Sequence, residues 1–383
     1  MPKKILKKKT LKKMMKKGNR QKAKPRIGIV GSSQLALYLA QAARLAGYQA
    51  FGMSDKKSDP ASSWFNKWIK GKSNQLKDLK KISKVSSVVL FENKTHLQTK
   101  TIQTLKQDQF FPRLQISIKT NDLWTLKELL YDYEVPQTPY IKINGKDDIE
   151  LAFTYFKGKA VIKSRFPVKN KQDTFIIKSL LALNTFKNSH QGKESHFIVE
   201  EFLSFKSEHR IIMARNQQVQ FSVYPLLTLN HIGNNYNQVT NSTQHKDFKP
   251  MVEQLKKMLT GIQYCGVMTF NIFNSKNRLY VDDADCRPCN TGMITLDGFN
   301  IDQFDLHLRA VLNLNLPEII QYSKKLNCKY LIAGARTQTK LNQQLNEQFL
   351  NESLSKYPNG KLYWYGKKEK RPNRKLGHIN YTG

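Results

Sequence analysis

The clearest hydrophobic pattern in the chain follows a lysine-rich start. Residues 27–30 form a short apolar run, Gly31 offers a turn, and residues 35–45 repeat small apolar side chains at helical spacing. A second apolar run follows at 48–53, and "SSVVLFEN" at 86–93 has the same character. Apolar strands that alternate with such helices are typical of parallel sheets with helices on their faces. The pattern predicts the opening β-α-β unit of a doubly wound sheet.

Beyond residue 120 the pattern changes to strands separated by fewer helices. Helical spacing predicts helices at 121–133, 249–261 and 302–314, and Pro136 marks a turn into a new module. The stretch "GVMTFNIFNSKNRLYVDDAD" predicts a β-hairpin that turns near 275–277. A small strand-containing module closes the chain. The predicted fold class is therefore α/β in the first part and α+β in the remainder.

The charge of the chain is strongly basic. Of the formal charge of +35, residues 1–24 contribute 12 Lys or Arg and no acid, which leaves +23 for the remainder. We expect residues 1–25 to be a disordered basic extension. A basic surface attracts polyanions such as RNA, anionic membranes or phosphorylated metabolites. Compositional drift without a selected partner explains the lysines equally well, so both interpretations stay open at this point.

Targeting signals and cysteines add little further chemistry. The sequence contains no apolar run of the roughly 20 residues that a membrane span needs. Of the four cysteines, only Cys286 and Cys289 have a ligand-like spacing, and a structural zinc site needs a second close pair. Buried structural cysteines are the favoured interpretation, and we expect a reduced, cytoplasmic protein.

Two strand ends suggest a nucleotide site. Lys163 ends the apolar run "KAVIK", and Glu200–Leu203 follow the run "FIV". A lysine and a carboxylate at the ends of two strands suit a nucleotide held between sheets, with the lysine at phosphate oxygens and the backbone of 201–203 at the base edge. The Gly31 turn is a second candidate for phosphate, although a plain structural turn explains it as well.

The acidic sequence "DDAD" is unusual in so basic a chain. On the predicted hairpin, Asn271 lies near Asp282 and Asp283, since hairpin partners bring side chains on one face together. Carboxylate and amide oxygens are ligands that Mg²⁺ accepts beside nucleotide phosphates. The hairpin is therefore a candidate metal site.

Several longer stretches resemble one enzyme family. "GSSQLALYLAQAARLAGY", "EEFLSFKSE", "YPLLTLNH", "DQFDLHLRAVLNLNLP" and "YGKKEKRPNRKLGHIN" have the order and spacing found in the 5-(carboxyamino)imidazole ribonucleotide synthases of purine biosynthesis, members of the ATP-grasp superfamily. The resemblance covers residues 26–383. It implies a Rossmann-like N-terminal domain (26–118), an ATP-grasp domain (119–314) and a small C-terminal domain (315–383). It also implies a homodimer, which is common in the family.

The resemblance implies a reaction and a set of site residues. Family members use ATP and bicarbonate to form carboxyphosphate, which carboxylates the exocyclic amine of aminoimidazole ribonucleotide. The implied cofactors are ATP and Mg²⁺, with Mn²⁺ as an alternative metal. The implied ATP ligands are Lys163, Glu200, Glu201, Phe202, Leu203, Glu208, His231, Asp282 and Asp283, and the implied metal ligands are Asn271 and Asp283. The implied reaction-centre residues are Arg287 and Asn290, and the implied ribonucleotide ligands are Gln34, Leu35, Lys367, Arg374 and Lys375.

The sequence also departs from the family pattern. The stretch "SRFPVKNKQDTF" replaces a glycine-rich flap and contains no glycine, which hinders close approach of the backbone to phosphates. Lys169 and Lys171 offer point charges instead. Asn271 and Asp283 stand where the family has metal-binding glutamates, which should weaken Mg²⁺ binding, and Leu123 stands in place of an arginine.

Three hypotheses follow from this comparison. The favoured one is an active synthase with an altered metal site and flap. The second is a weakened or inactive relative that still binds nucleotide. The third is an RNA- or membrane-associating protein that works through its basic extension. For the C-terminal "RPNRKLGHIN", the resemblance favours a phosphate-gripping segment, in which Gly377 permits close approach, over a frayed basic tail.

Overall fold

The computed structural model describes residues 24–57, 60–94, 103–166, 173–232, 235–241, 245–333, 339–340 and 343–383. Three larger sheets organise these residues, and the helices pack on their faces. Apolar side chains between the layers form the core, as the hydrophobic pattern predicts. Among the described helices, none is long and apolar enough to cross a bilayer.

The N-terminal sheet has five parallel strands in the order β3-β2-β1-β4-β5. Its strands are β1 (Arg26–Val30), β2 (Gln49–Ser54), β3 (Lys67–Lys70), β4 (Val88–Phe91) and β5 (Phe110–Phe111). Its helices are α1 (Gln34–Leu45) and α2 (Leu76–Val85). The predicted β-α-β unit is thus confirmed. A parallel sheet places the carboxyl ends of its strands at one edge, and ligands of such folds bind beyond that edge.

The central part of the chain begins with two consecutive helices and a small sheet. The helices are α3 (Leu114–Asn121) and α4 (Leu123–Asp132). The sheet is antiparallel, in the order β6-β9-β7-β8, and comprises β6 (Tyr140–Lys142), β7 (Ala160–Ser164), β8 (Thr174–Ile177) and β9 (Phe197–Glu201). Helices α5 (Lys146–Tyr155) and α6 (Leu180–Ser189) contribute apolar side chains to its core.

The largest sheet has nine strands and continues from the central part into the C-terminal part. Its strands are β10 (Ser207–Arg215), β11 (Phe221–Val223), β12 (Leu227–Ile232), β13 (Asn235–Asn241), β14 (Gly266–Ser275), β15 (Arg278–Asp285), β16 (Leu326–Ile332), β18 (Lys361–Trp364) and β20 (Lys375–Thr382). A separate pair joins β17 (Thr339–Lys340) to β19 (Glu369–Lys370). The associated helices are α7 (Phe248–Gly261), α8 (Thr295–Gly298), α9 (Gln303–Val311) and α10 (Gln343–Lys356).

The predicted helices and hairpin are present, with small shifts at their ends. The helix expected at 121–133 begins at Leu123, because the Asp122 side chain accepts the Trp124 N–H and caps it. Asp302 likewise caps α9. Strands β14 and β15 pair around Lys276 and Asn277, which both adopt positive φ, as tight hairpin turns require. The prediction of a turn near 275–277 is confirmed.

Helix α1 packs against the central part of the chain and thereby fixes the first sheet relative to the rest. The rings of Tyr38 on α1 and Phe304 on α9 stack with centroids 5.2 Å apart. Tyr365, close to the C-terminal strand, makes an edge contact with Tyr38 at 6.4 Å. One apolar core therefore holds all three parts of the chain together, and the start of α1 lies beside Asn290, in the segment that follows β15.

Candidate active site

Lys163 joins the two antiparallel sheets. From β7, its Nζ lies 2.7 Å from Glu200 Oε2 on β9 and also bonds Asp282 on β15. A second lysine, the fully buried Lys127 of α4, approaches the other oxygen of Glu200 at 3.1 Å. The predicted lysine and carboxylate therefore do meet, in a network that also contains Lys127, which sequence reasoning missed.

The protonation states of this network follow from its charges. Burial would lower the pKa of Lys163, but Asp282 and Glu200 outweigh that effect and raise the pKa above its ordinary value. Burial would raise the pKa of Asp282, but Lys163 and Lys127 outweigh it and hold that pKa below its ordinary value. Lys163 is thus a permanent cation at the junction of the sheets, as a phosphate ligand must be.

A β-bulge separates the neighbouring carboxylates Asp282 and Asp283. Asn271 pairs with Asp283 across the hairpin, whereas the next residue, Ile272, pairs with Val281. Asp282 is the extra residue between these pairs. The predicted proximity of Asn271 and Asp283 is confirmed, and the bulge lets two adjacent aspartates reach different partners.

Asp283 is bound by a lysine from the N-terminal sheet. Lys94, three residues beyond β4, lies 2.8 and 3.0 Å from the two oxygens of Asp283 and 3.5 Å from Asp285. Arg287 lies 3.2 Å from the same oxygen of Asp285. Burial would lower the pKa of Lys94, but Asp283 and Asp285 outweigh it and raise the pKa. Sequence reasoning missed Lys94, because nothing local marks a loop lysine in a chain so rich in lysine.

Glu208 lies on β10, in the same large sheet as the hairpin. Its two oxygens lie 2.7 Å from Arg210 and 2.7 Å from Nε2 of His231, so the structure brings together two of the implied ATP ligands. Arg210 pairs with Asn271 across β10 and β14, which places a cation beside the predicted metal position. Arg210 is a further site residue that the sequence did not reveal.

The predicted adenine linker leaves the end of β9. The Glu201 N–H donates to the Pro139 carbonyl at 2.9 Å, and the Phe202 N–H is 3.4 Å from the Lys159 carbonyl. Leu203 follows in a stretch without regular secondary structure. The carbonyls of this segment and the Leu203 amide are therefore the backbone groups best suited to a base edge.

Asn290 connects the first and last parts of the chain. Its Oδ1 accepts the carboxamide N–H of Gln34 at 3.0 Å, and its carbonyl accepts the Tyr330 hydroxyl. The Lys375 ammonium lies 4.1 Å from the centre of the Tyr330 ring. Three predicted residues thus meet in one chain of contacts, whereas the Leu35 side chain is buried in the core and offers only its backbone to a ligand.

The C-terminal segment is an ordered part of the large sheet. Strand β20 lies between β16 and β18, so the frayed-tail interpretation of "RPNRKLGHIN" is wrong. The Lys367 ammonium donates to the Lys375 carbonyl at 2.6 Å, and Arg374 donates to the Glu369 carbonyl at 3.1 Å. Burial lowers the pKa of Lys375 to about 7. Gly377 allows the close approach of the neighbouring strand β18, because a Cβ at this position would lie 2.5 Å from the Tyr363 carbonyl.

The Gly31 turn is filled by a carboxylate of the protein itself. Gly31 adopts φ +128°, and a Cβ there would lie 2.6 Å from Oε2 of Glu92. The same oxygen accepts the Ser33 N–H at 2.8 Å at the start of α1. Glu92 thus takes the place that a phosphate would need, and the phosphate hypothesis for this turn is wrong. Burial raises the pKa of Glu92 despite its hydrogen bonds to Ser33 and Asn93.

The side chains around the hairpin do not fit a divalent metal. Asn271 is neutral, Asp283 is engaged by Lys94, and Asp282 is engaged by Lys163. Within the described ranges, no group of three or more His, Cys, Asp or Glu side chains is arranged to hold a metal ion. The acidic hairpin was predicted correctly, but its carboxylates bind cations of the protein.

Some sequence expectations fall outside this geometry. Lys169 and Lys171 of the glycine-free flap lie outside the described residues, as do residues 1–23 of the basic extension. Leu123 is buried at the start of α4. Near it, Arg165 binds Asp122 with two hydrogen bonds and places its guanidinium 4.8 Å from the Trp124 ring centre.

Three family models match consecutive parts of the chain. They are the ribonucleotide synthetase preATP-grasp domain at residues 24–117, the ATP-grasp domain at 128–304 and the phosphoribosylaminoimidazole carboxylase C-terminal domain at 334–383. The N5-carboxyaminoimidazole ribonucleotide synthase of Staphylococcus aureus (strain COL) is 24% identical over 367 residues, which cover 94% of this chain and 93% of the relative. The enzyme of the same name from Staphylococcus haemolyticus is 23% identical over 363 residues, with coverage of 94% and 93%.

Solved structures show the same fold. The Staphylococcus aureus N5-carboxyaminoimidazole synthetase complexed with ADP superposes with a TM-score of 0.84 at 22% identity and covers 94% of this chain and 93% of its own. The Aspergillus clavatus synthase in complex with ADP and aminoimidazole ribonucleotide gives a TM-score of 0.81 at 20% identity, with 94% of both chains covered. The predicted architecture of an N-terminal parallel-sheet domain, an ATP-grasp domain and a small C-terminal domain is confirmed.

Proposed function

Because the chain belongs to the N5-carboxyaminoimidazole ribonucleotide synthase family of ATP-grasp ligases, we propose that it carboxylates aminoimidazole ribonucleotide with ATP and bicarbonate. The reaction forms a C–N bond in purine biosynthesis. The observation that carries the proposal is the position of Lys163, which joins both antiparallel sheets through Glu200 and Asp282. A fixed cation at that position suits the phosphates of a nucleotide held between the sheets.

ATP binds along the cleft in this proposal. Lys163 contacts its phosphates, and the backbone of 201–203 meets the adenine edge. Glu208, which Arg210 and His231 hold in place at 2.7 Å, accepts hydrogen bonds from the ribose hydroxyls. A preorganised carboxylate loses little entropy on binding, which favours a ribose at this point.

The chemistry takes place where Arg287 and Asn290 follow the hairpin. A bicarbonate oxygen attacks the terminal phosphorus of ATP, and ADP leaves. The exocyclic amine nitrogen then attacks the carbon of carboxyphosphate, phosphate leaves, and the nitrogen loses a proton. We assign to Arg287 the stabilisation of the negative charge of carboxyphosphate, because its Nε is buried without a hydrogen-bond partner among the described residues.

The ribonucleotide binds at the junction of the first and last domains. Gln34 and the backbone at Leu35 face it from the start of α1, and Lys367, Arg374 and Lys375 form its phosphate site. The cation–π contact of Lys375 with Tyr330, whose hydroxyl bonds the Asn290 carbonyl, links that phosphate site to the reaction centre. Phosphate binding at one end would thereby orient the amine at the other.

The divalent metal has a limited place in this proposal. Since the hairpin side chains do not fit one, Mg²⁺ or Mn²⁺ enters only as the counter-ion that ATP carries in solution. The remaining expectations from the sequence are retained as proposals. They are domain boundaries at 26–118, 119–314 and 315–383, a homodimer, a cytoplasmic location and polyanion contacts of residues 1–24.

The test is ADP release by the full chain. We expect release that requires ATP, bicarbonate and aminoimidazole ribonucleotide together, and that falls to background in bicarbonate-free buffer. Lys163→Met should abolish release, while circular dichroism checks that the variant folds. ATP binding without substrate-dependent ADP release would contradict the proposal and favour a nucleotide-binding relative without turnover.

A further inference from the structure

Lys94 binds Asp283, which is the one carboxylate of the hairpin that the family resemblance assigns to a metal. Its ammonium lies 2.8 and 3.0 Å from the two oxygens of Asp283, a two-point contact, and 3.5 Å from Asp285. The three side chains are 21–26% exposed, so water screens these contacts only in part. An ammonium that bridges two carboxylates has the charge and the oxygen neighbours of a small bound cation.

The local charge balance is complete without a metal. Two carboxylates, Asp283 and Asp285, face two cations, Lys94 and Arg287. Across the hairpin, Asn271 contributes no charge, and beyond it the Arg210 cation is balanced by Glu208. A divalent ion entering here would meet strong repulsion and would have to displace Lys94 from its ligands.

We propose that the Lys94 ammonium permanently takes the place of a protein-bound divalent cation at Asp283 and Asp285. The exclusion of metal follows from the charges around Asp283 alone. The further consequence, that Lys94 supplies positive charge beside the terminal phosphate of ATP, rests on the proposed function. Asn271 fits this arrangement, because a glutamate at that position would add a charge that one lysine does not balance.

Mn²⁺ binding in the absence of nucleotide tests the exclusion directly. Electron paramagnetic resonance measures free Mn²⁺ during titration of the full chain. We expect Lys94→Met to bind one Mn²⁺ about tenfold more tightly than the unmodified chain, because the substitution frees Asp283 and leaves Asp285 with Arg287 as its one remaining cation among the described residues. Lys94→Met/Asp283→Asn should lose that gain. Equal Mn²⁺ affinity of the unmodified chain and folded Lys94→Met would overturn the proposal.

Two further variants make the test independent of how well Lys94→Met folds. Lys94→Arg keeps the cation and should leave Mn²⁺ affinity unchanged. Asp283→Asn in the otherwise unmodified chain should also leave it unchanged, and a loss of Mn²⁺ binding there would show that the carboxylate does bind metal. Lys81→Met, which removes a surface lysine paired with Asp78, is the matched control.

The outcome is separable from that of the proposed function. Mn²⁺ titration needs neither ATP nor turnover, so the exclusion can hold in a chain that releases no ADP. Conversely, ADP release by a chain whose Asp283 binds Mn²⁺ would support the carboxylation reaction and refute the role of Lys94.

Discussion

The Gln34 carboxamide donates a hydrogen bond to Asn290 Oδ1 at 3.0 Å, although 256 positions separate the two residues. Gln34 begins the first helix of the N-terminal domain, and Asn290 follows the last strand of the ATP-grasp hairpin. The contact therefore joins the domain that is proposed to receive the ribonucleotide to the segment that is proposed to activate bicarbonate.

We predict that Gln34→Ala acts mainly on the ribonucleotide. The substitution leaves Asn290 free to rotate, so the KM for aminoimidazole ribonucleotide should rise about tenfold, whereas the KM for ATP should change little. Steady-state kinetics with each substrate varied in turn measures the difference. Gln254→Ala, which removes a half-buried glutamine bonded to the Glu134 carbonyl, should change neither value. Equal effects on both substrates would contradict the assignment.

We predict that the affinity for the ribonucleotide depends on the charge of Lys375. Burial lowers the pKa of Lys375 to about 7, so the free protein loses this charge as the pH rises from 6 to 8. Affinity for the phosphate should fall about fivefold over that range, relative to Lys375→Arg, which stays charged. Isothermal titration calorimetry of both proteins gives the ratio of their affinities at each pH. The ionisation of the ligand phosphate affects both proteins equally and therefore cancels in this ratio.

The lowered pKa of Lys375 also makes the stability of the fold depend on pH. Between pH 7 and the ordinary lysine value the unfolded chain holds a proton at residue 375 that the folded chain lacks, so this lysine makes stability rise with pH over that range. Lys375→Met should remove this rise. Denaturant unfolding of both proteins at pH 7.5 and 9 measures it, and an identical pH dependence would show that Lys375 stays charged in the fold.

We predict that Lys127 contributes strongly to stability. It is fully buried and lies 3.1 Å from Glu200, so Lys127→Met leaves a buried carboxylate with one partner fewer and should cost about 3 kcal/mol of unfolding free energy. Lys187→Met removes a lysine from the surface pair with Glu150 and should cause no measurable change. Urea denaturation measures both. Similar losses in the two variants would indicate that the Glu200 network is well hydrated.

We predict that Gly31 tolerates no side chain. Gly31→Ala forces a Cβ to within 2.6 Å of the Glu92 carboxylate at φ +128°, and should cost about 2 kcal/mol of unfolding free energy. Gly145→Ala is the matched control, since a Cβ at Gly145 has no described atom within 4 Å. Thermal unfolding measures the two variants side by side. A neutral Gly31→Ala would mean that Glu92 moves away at little cost.

Local pattern was sufficient for the elements and for part of the site. The spacing of apolar residues predicted the first β-α-β unit, and the turn residues predicted the hairpin, because both depend on neighbours in sequence. Lys163 and Glu200 were found because each ends an apolar strand. Their convergence is a consequence of the antiparallel pairing of β7 with β9, which the structure shows.

The remaining site residues depend on tertiary contacts that no local pattern encodes. Lys94 is one of many lysines, and only the packing of two domains brings it to Asp283. The separate roles of Asp282 and Asp283 depend on a β-bulge, which the alternation of residues does not reveal. The position of Glu92 inside the Gly31 turn depends on the register of the first sheet, which the apolar run at 86–93 does not reveal.

The ion pair between Lys94 and Asp283 also bears on how this enzyme could be regulated in a cell. A site filled by a metal responds to the supply of that metal, whereas this cation comes from the neighbouring domain and is present in every correctly folded molecule. If Lys94 serves as proposed, scarcity or excess of magnesium would act on this protein only through ATP. An ATP-grasp domain detached from its N-terminal neighbour would lose the charge altogether.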